Sequence, residues 1–365
     1  MHIAICIFGL LRSSHYTINS YQSHIIQPIV DAGFTYEVLL HNYKFSGTQT
    51  FKRNNEVIDS KLVDFTEWKL YKPSYYFEEN QDKFDKTVNV SDYLSHGDFW
   101  ENDGVSMKNH IRALHSLQHL SHVVAERNNA LLNSTQKGNR KKFDYVIYAR
   151  PDVYYTNDLP VQLIKLYPNK LLLPDFHRLC EGNEYNDRFA MGPPIPALIY
   201  GNRIDYLLKY SRHKTVQSES FVYDLLHEFN VPVVEIPFRF QRIRFSGSIH
   251  GRDISIITVY EQQKDYMEYI PLFIKYIFRI KSGSDFNYIG CSPHARVSVA
   301  DLQRLTDYFM NHKKPVLHKP IIELDLLYQE DITYKQRIEK SFQYNERQAC
   351  RSNLRGANNS TSKCT

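Results

Sequence analysis

The segment from Tyr148 to Tyr154 combines residue types that phosphate and metal chemistry use. It reads Tyr-Ala-Arg-Pro-Asp-Val-Tyr and continues an apolar run, so Arg150 and Asp152 are predicted to lie just beyond the carboxyl end of a strand. In open α/β sheets, ligands bind at that edge. A guanidinium there can bind a diphosphate, and a carboxylate can hold a divalent metal or a sugar hydroxyl. The segment is the first candidate for a site, and a surface salt bridge after a core strand is the alternative.

The surrounding sequence alternates short apolar runs with amphipathic stretches. The predicted strands are Ile3 to Phe8, Tyr36 to His41, Tyr145 to Ala149, Lys170 to Pro174 and Phe189 to Gly192. Helices are predicted over Thr17 to Val30 and Ser106 to Asn128, the second with apolar residues every three or four positions. This pattern predicts an α/β fold, with a mostly parallel, Rossmann-like central sheet flanked by helices.

The chain is expected to divide into three parts. Residues 1–255 form the predicted catalytic domain, in which the polar and aromatic stretch 44–105 is an insertion or lid. Residues 256–347 are expected to be a helical C-terminal subregion, and 348–365 a disordered tail. Within the helical part, the apolar face of Met267 to Arg279 favours core packing, with an interfacial membrane face as the alternative.

Charge and hydropathy limit the partners and the compartment. The net charge of +5 on 365 residues is mild and scattered, which permits a phosphate-bearing ligand and gives no sign of nucleic-acid binding. The apolar run at the amino end is interrupted by Arg12 and is too short to cross a bilayer, which takes about 20 residues. We therefore expect a soluble, cytoplasmic protein with no transmembrane segment and, as an alternative, peripheral membrane association.

Other chemistries lack their sequence motifs. The sequence contains no phosphate loop, no dinucleotide fingerprint, no H-E-x-x-H helix and no nucleophile elbow. The five cysteines are widely spaced and contain no C-x-x-C pair, which disfavours a disulfide framework or a structural zinc site. The pair His110 and His115 misses the i, i+4 spacing that would place both on one helix face.

Four sequence blocks occur in an order that resembles a group of GT-A-fold glycosyltransferases found in bacteria, plants and large DNA viruses of algae. The blocks are Gly9 to Arg12, Tyr148 to Asp152, Tyr185 to Gly192, and Ser218-Glu219 leading to Phe238 to Arg244. The similarity covers about the first 250 residues. It implies a GT-A-like fold whose first strand and following loop bind a nucleotide.

The resemblance implies a set of donor-binding residues. They are Phe8, Gly9, Arg12, His41, Arg150, Asp152, Arg242 and Arg244. The metal motif of the family is Asp-x-Asp, and here its second acid is replaced by Tyr154. Either Asp152 holds a divalent metal, Mn or Mg, with help from His250, or Arg150, Arg242 and Arg244 neutralise the departing diphosphate directly.

An inverting transfer also needs a carboxylate base that removes the proton of the acceptor hydroxyl. Glu219, at the start of a predicted helix, is the first candidate, and Asp187 is the second. Asp152, Asp253 and a retaining mechanism remain as further alternatives.

The sequence thus predicts a hexosyl- or pentosyltransferase. It would move a sugar from a nucleotide-sugar donor, with UDP as the default nucleotide, to a hydroxyl of a glycan or glycoconjugate, with inversion favoured. The alternatives are a carbohydrate-binding protein on a degenerate glycosyltransferase fold, and a sulfotransferase or nucleotidyltransferase that uses the same basic pocket.

Overall fold

The computed structural model of the chain describes residues 1–51, 56–133, 141–176, 183–236, 238–250 and 253. The predictions of a helical C-terminal subregion and a disordered tail lie outside these residues. Within them, no helix is both long enough and apolar enough to cross a membrane.

Eleven strands are present in the described part of the chain. They are β1 (His2–Gly9), β2 (Thr35–Lys44), β3 (Thr48–Phe51), β4 (Glu56–Asp59), β5 (Tyr75–Asn80), β6 (Tyr145–Ala149), β7 (Val153–Tyr155), β8 (Leu171–Pro174), β9 (Phe189–Gly192), β10 (Val233–Ile236) and β11 (Phe240–Arg242). Seven of them form the central sheet in the order β10-β8-β9-β6-β1-β2-β5. In this sheet only β9 is antiparallel to its neighbours. The predicted α/β fold with a mostly parallel sheet is confirmed.

Eight α-helices accompany the strands in the described residues. They are α1 (Ser14–Tyr21), α2 (Gln27–Asp31), α3 (Gln81–Thr87), α4 (Val105–Asn133), α5 (Leu163–Leu166), α6 (Pro194–Gly201), α7 (Ile204–Ser211) and α8 (Ser218–Glu228). A π-helical turn, Gln22–Ile26, joins α1 to α2, so the helix predicted over Thr17 to Val30 is present with a widened turn in its middle.

Both faces of the central sheet are buried, as expected for parallel strands covered by helices. Alternate residues of β1 point to opposite faces: Ile3, Ile5 and Ile7 pack in one apolar cluster, and Ala4 and Cys6 in the other. The second cluster contains the predicted apolar face of α4. Its members there are Ile111, Leu114, Leu117, Leu120 and Val124, each at most 1% exposed. Burying each of these side chains is worth about 1.5–3 kcal/mol.

The stretch 44–105 contains more regular structure than its composition indicated. β5 pairs in parallel with β2 and forms one end of the central sheet, while β3 and β4 make a separate two-stranded sheet. β10, at the other end, was also not predicted. Both end strands are short, and β5 is polar, which weakens the apolar pattern from which strands are predicted.

The direction of the strands decides which loops meet. Because β1 and β6 are parallel, Gly9 and Ala149 reach the same edge of the sheet. β9 runs the other way, and its first residue, Phe189, pairs with Ala149. Residues just before β9 therefore lie at the same edge as residues just after β6.

Candidate active site

A cleft of about 220 Å³ opens at this edge. Its lining comes from the ends of β1 and β6, the segment before β9, the first turns of α4, the start of α8 and the segment that follows β11. Seven arginines and two aspartates are among the described residues that line it: Arg12, Arg112, Arg150, Arg188, Arg203, Arg242, Arg244, Asp152 and Asp187. This excess of guanidinium groups suits an anionic ligand.

Arg150 and Asp152 form a two-pronged ion pair within the turn after β6. Arg150 Nε donates to Asp152 Oδ1 at 2.7 Å and Nη2 donates to Oδ2 at 2.6 Å. Arg12 lies 3.6 Å from the same Oδ2. Burial alone would raise the pKa of the Asp152 carboxyl, but Arg150, Arg12 and Arg244 outweigh it and hold that pKa well below its usual range. Asp152 is therefore ionised at neutral pH.

The short antiparallel pair of β7 and β11 brings further cations to Asp152. Arg242 pairs with Val153 in this ladder, and the Ile243 backbone N–H donates to the Asp152 carbonyl at 2.8 Å. Arg244 follows one residue later. Burial, together with the nearby Arg242 and Arg12, lowers the pKa of Arg244 to about 10, so it still carries a positive charge at neutral pH.

The surroundings of Asp152 do not suit a divalent metal. Both carboxylate oxygens accept hydrogen bonds from Arg150, and Arg12 approaches one of them. A metal ion there would displace these contacts and meet several fixed positive charges at short range. Its predicted partner His250 has its Nδ1 3.2 Å from Arg242 Nη2.

Arg242 is held in place by Asp253. The Asp253 carboxylate accepts the Arg242 backbone N–H at 2.7 Å, its Nε–H at 2.8 Å and its Nη2–H at 2.7 Å. Asp253 is fully buried. This carboxylate orients the guanidinium of Arg242 at the cleft wall.

The two predicted base candidates meet through Arg188. Its Nη1 lies 2.8 Å from Asp187 Oδ1, and its Nη2 donates to Glu219 Oε1 at 3.0 Å. Burial alone would lower the pKa of Arg188, but Asp187 and Glu219 raise it above its usual value. Burial would raise the pKa of Asp187, whereas Arg188, His110 and Arg203 outweigh burial and lower it. Asp187 is thus a weak base at neutral pH.

Glu219 lies in the first turn of α8, as predicted. The Gln217 side chain caps this helix by accepting the Ser220 backbone N–H, and its amide also donates to Glu219 Oε2. The Ser218 hydroxyl donates to the same oxygen at 2.6 Å. The Oε2 atom of Glu219 therefore accepts hydrogen bonds from two neutral donors, and its Oε1 atom accepts one from Arg188.

His110 is a cleft residue that the sequence analysis did not select. It lies on the first part of α4, is 8% exposed, and its Nε2 has no hydrogen-bond partner within the described residues. Burial, together with Arg203 and Arg188, lowers the pKa of His110 to about 4 despite the opposing effect of Asp187. His110 therefore lines the cleft as a neutral imidazole.

His41 lies apart from the other predicted donor-binding residues. It is fully buried, and its Nε2 is 3.1 Å from Glu79 Oε2. The cleft lining brings together the rest of the predicted donor set, namely Phe8, Gly9, Arg12, Arg150, Asp152, Arg242 and Arg244, and it also includes Asp187 and His250. Glu219 reaches this group through Arg188.

The backbone conformation at the end of β1 favours glycine at position 9. Its φ of +106° lies in the region that favours glycine, and its backbone N–H donates to the Ser116 hydroxyl of α4 at 2.9 Å. The sequence reasoning missed three further cleft arginines, Arg112, Arg188 and Arg203. Arg188 follows Asp187 directly in a block that was selected, and this adjacency could have indicated it.

Comparison with known proteins gives structural likeness without a sequence match. No family model and no curated protein matches the chain. Core-mannan synthase A from Aspergillus fumigatus, in its Mn/GDP form, is 10% identical with a TM-score of 0.35, over 66% of this chain and 74% of that one. The galactosyltransferase LgtC with donor and acceptor sugar analogs is 10% identical with a TM-score of 0.32, over 86% and 97%. Mouse xyloside xylosyltransferase 1 is 10% identical with a TM-score of 0.30, over 64% and 84%.

At these scores and identities the three likenesses carry no argument about the activity of this chain. The functional proposal rests on the residues of the cleft.

Proposed function

We propose that this chain is a glycosyltransferase that moves a sugar from a nucleoside diphosphate sugar to a hydroxyl of a glycan or glycoconjugate. One observation carries the proposal: a cleft at the carboxyl edge of a mostly parallel sheet is lined by seven arginines, of which Arg12, Arg150 and Arg244 lie around the carboxylate of Asp152. The ordered sequence blocks that resemble GT-A-fold glycosyltransferases supply several of these arginines. UDP is the nucleotide to test first.

The arginines suit the diphosphate of such a donor. Guanidinium groups bind phosphate oxygens through paired hydrogen bonds and stay charged at neutral pH. Arg242, fixed by Asp253, and Arg150, fixed by Asp152, are both oriented before any ligand arrives. Such fixed charges stabilise a leaving group without reorganisation during the reaction.

In this proposal arginines replace the metal that the resemblance implies. As the bond between the sugar anomeric carbon and the diphosphate oxygen breaks, its electron pair remains on the diphosphate. Arg150, Arg242 and Arg244 would neutralise that charge. The acceptor oxygen forms the new bond to the anomeric carbon from the opposite face, which inverts the configuration.

The proton of the acceptor hydroxyl needs a base, and we assign this role to Glu219 with Asp187 as the alternative. Arg188 contacts both Glu219 and Asp187. Glu219 also accepts two hydrogen bonds from neutral groups, the Gln217 amide and the Ser218 hydroxyl. Asp187 is the weaker candidate because Arg188, His110 and Arg203 lower its pKa. Its position in the cleft also suits hydrogen bonding to sugar hydroxyls.

A second candidate function is sugar-nucleotide or carbohydrate binding without transfer. One observation favours it: Asp152, Asp187, Glu219 and Asp253 are each already paired with an arginine. A carboxylate engaged in this way accepts a proton less readily.

Release of nucleoside diphosphate from sugar nucleotides separates the two functions. The purified full chain is incubated with UDP- and GDP-sugars, with and without candidate acceptor glycans, and both products are quantified. The transferase predicts nucleoside diphosphate release that rises with acceptor and is lost in Arg150→Ala. Arg212→Ala is the matched control, because Arg212 is exposed and does not line the cleft. Donor binding without release from any donor would refute the transferase and support the binding protein.

A further inference from the structure

A second group of chemically reactive side chains lies beside the cleft, on three different elements. His41 lies near the end of β2, Glu79 near the end of β5, and His115 on α4. One atom from each, either an imidazole nitrogen or a carboxylate oxygen, lies within 4.8 Å of the other two. We call these three residues the histidine cluster.

The cluster converges on one oxygen. Glu79 Oε2 is 3.1 Å from His41 Nε2 and 3.2 Å from His115 Nδ1. A tetrahedral zinc with bonds of about 2.0–2.1 Å separates its ligand atoms by roughly 3.3 Å. Two of the three separations in the histidine cluster are therefore already close to those of a zinc site.

The burial of the cluster also fits an ion-binding site. The His41 side chain is fully buried, while those of Glu79 and His115 are 25% and 27% exposed. The ring of His119 lies 4.8 Å from that of His41 and stacks on Phe77 at 4.4 Å, which restricts movement of the His41 ring. One wall is thus rigid, and the other is open to solvent.

Binding of an ion would replace the contacts of Glu79 with His41 and His115, and it would break the hydrogen bond between Tyr43 and His115 without isolating the Tyr43 hydroxyl. The Tyr43 hydroxyl lies 2.8 Å from His115 Nδ1, but it also donates to the Arg112 carbonyl at 3.3 Å. When His115 Nδ1 turns to a metal, the Tyr43 hydroxyl keeps an acceptor. The change therefore leaves the Tyr43 hydroxyl paired.

We propose that His41, Glu79 and His115 bind a divalent transition metal, with zinc the ion that two imidazoles and one carboxylate suit best, and with water as the fourth ligand. The ion would tie β5, the end strand of the central sheet, to β2 and α4. This proposal does not depend on the glycosyltransferase assignment.

The test uses the full chain after chelation and dialysis. Zn²⁺ binding is measured by calorimetry, and Co²⁺ is added as a spectroscopic probe, because tetrahedral cobalt gives intense visible absorption. We expect one ion for each chain, visible cobalt bands and a higher Tm with Zn²⁺. Removing a residue that only hydrogen-bonds to a metal ligand typically lowers metal affinity about 10–100-fold. Glu79→Gln and His115→Ala each remove a ligand, so each is expected to lower the affinity by at least that much.

His122→Ala is the matched control, because this histidine is exposed on the same helix and outside the cluster. It is expected to bind Zn²⁺ as the unmodified chain does. Far-UV circular dichroism confirms that each variant is folded, and His115→Asn replaces His115→Ala if the latter is not. The proposal is overturned if no stoichiometric ion binds, or if binding survives unchanged in both cluster variants. The first result would make the cluster a hydrogen-bonded group only, and the second would place the ion elsewhere in the chain.

Discussion

The guanidinium of Arg150 and the carboxylate of Asp152 share two hydrogen bonds, of 2.7 and 2.6 Å, across a single intervening proline. The pair places a preoriented cation beside the cleft while keeping the carboxylate ionised. The contribution of this pair to the stability of the fold and its contribution to turnover can be tested separately.

Replacing Asp152 with Asn is expected to lower the free energy of unfolding by about 3 kcal/mol, because removing one partner of a buried ion pair leaves the other charge uncompensated. Urea denaturation at neutral pH measures the change. Asp31→Asn, at an exposed position, is the control and should change stability by less than about 0.5 kcal/mol. Equal urea midpoints for the two variants would show that the Asp152 carboxylate does not stabilise the fold by compensating the charges of Arg150 and Arg12.

Asp152→Ala is expected to abolish turnover, because Arg150 and Arg12 lose the group that orients them towards the donor. The measurement is nucleoside diphosphate release by folded protein, with donor binding followed in parallel. Unchanged release in this variant would remove Asp152 from the site.

Chelation is expected to leave donor binding nearly unchanged. Because arginines surround Asp152, adding EDTA should alter the donor Kd by less than about threefold, or 0.7 kcal/mol. Arg244→Ala should weaken donor binding by at least about tenfold, the loss of one charge-assisted hydrogen bond. Calorimetry with UDP and GDP, in EDTA or in Mn²⁺, measures both. A donor that binds only with Mn²⁺ would restore the metal-dependent alternative for this cleft.

Glu219→Gln is expected to reduce kcat by about 10²–10⁴-fold, the usual contribution of a general base, with little change in donor Kd. The amide keeps the size of the side chain but cannot accept the proton. Asp187→Asn is the comparison, and its main effect should be on acceptor KM. If Asp187→Asn shows the larger fall in kcat, the base is Asp187.

His110 is expected to make the fold less stable in mild acid. Its folded pKa of about 4 lies below the unfolded value of 6.5, so the unfolded chain binds a proton more readily between these two pH values. The contribution of His110 to the free energy of unfolding is fully present above pH 6.5 and is lost as the pH falls towards 4. The loss reaches about 3 kcal/mol, since each pH unit corresponds to about 1.4 kcal/mol.

Urea denaturation between pH 7 and pH 4 tests this effect against His110→Asn. The variant has no titrating group at this position, so its stability should depend less steeply on pH across that interval. Parallel curves for the two proteins would contradict the buried, neutral state of His110.

Gly201 is expected to tolerate no side chain. A β-carbon there would lie 2.8 Å from Tyr148 Cζ and would collide with the Ser121 hydroxyl. These two side chains share a hydrogen bond of 2.6 Å between α4 and β6. Gly201→Ala should therefore cost about 1–3 kcal/mol through overpacking, measured by urea denaturation. The double variant with Ser121→Ala should recover part of this loss, and an unaffected single variant would contradict the tight contact.

Several features of the fold follow from local sequence. β1 and β6 are short runs of apolar residues, and α4 carries Ile111, Leu114 and Leu117 at helical spacing. These patterns predict strands and helices, because the burial of apolar side chains on a strand, or along one side of a helix, is the main source of their stability. β5 and β10 escaped prediction because they are short end strands whose pairing partners, β2 and β8, are distant in sequence.

Residue types at one strand end, together with the family resemblance, predicted part of the cleft. The rule that ligands bind at the carboxyl edge of parallel strands selected Arg150 and Asp152, and the resemblance to GT-A-fold glycosyltransferases implied Gly9 and Arg12. All four line the cleft. His41 obeys the same rule but points to Glu79, and the rule does not specify on which side of the sheet a terminal side chain lies. His115 and His119, spaced i, i+4 on α4, were a sequence signal that was overlooked: His115 belongs to the histidine cluster, and the ring of His119 packs beside that of His41.

The sequence by itself determined the α/β class, the apolar face of α4 and the position of Arg150 and Asp152 just beyond a strand, because each depends on residues close together in the chain. Only the tertiary structure decided the charge pairing. Arg150 and Asp152 are two residues apart, but Arg12 and Arg244 reach the same carboxylate from distant segments, brought there by the parallel pairing of β1 with β6 and the antiparallel pairing of β7 with β11. Electrostatic energy depends on distance in space. The three arginines therefore come to lie around the Asp152 carboxylate only when those strands pair.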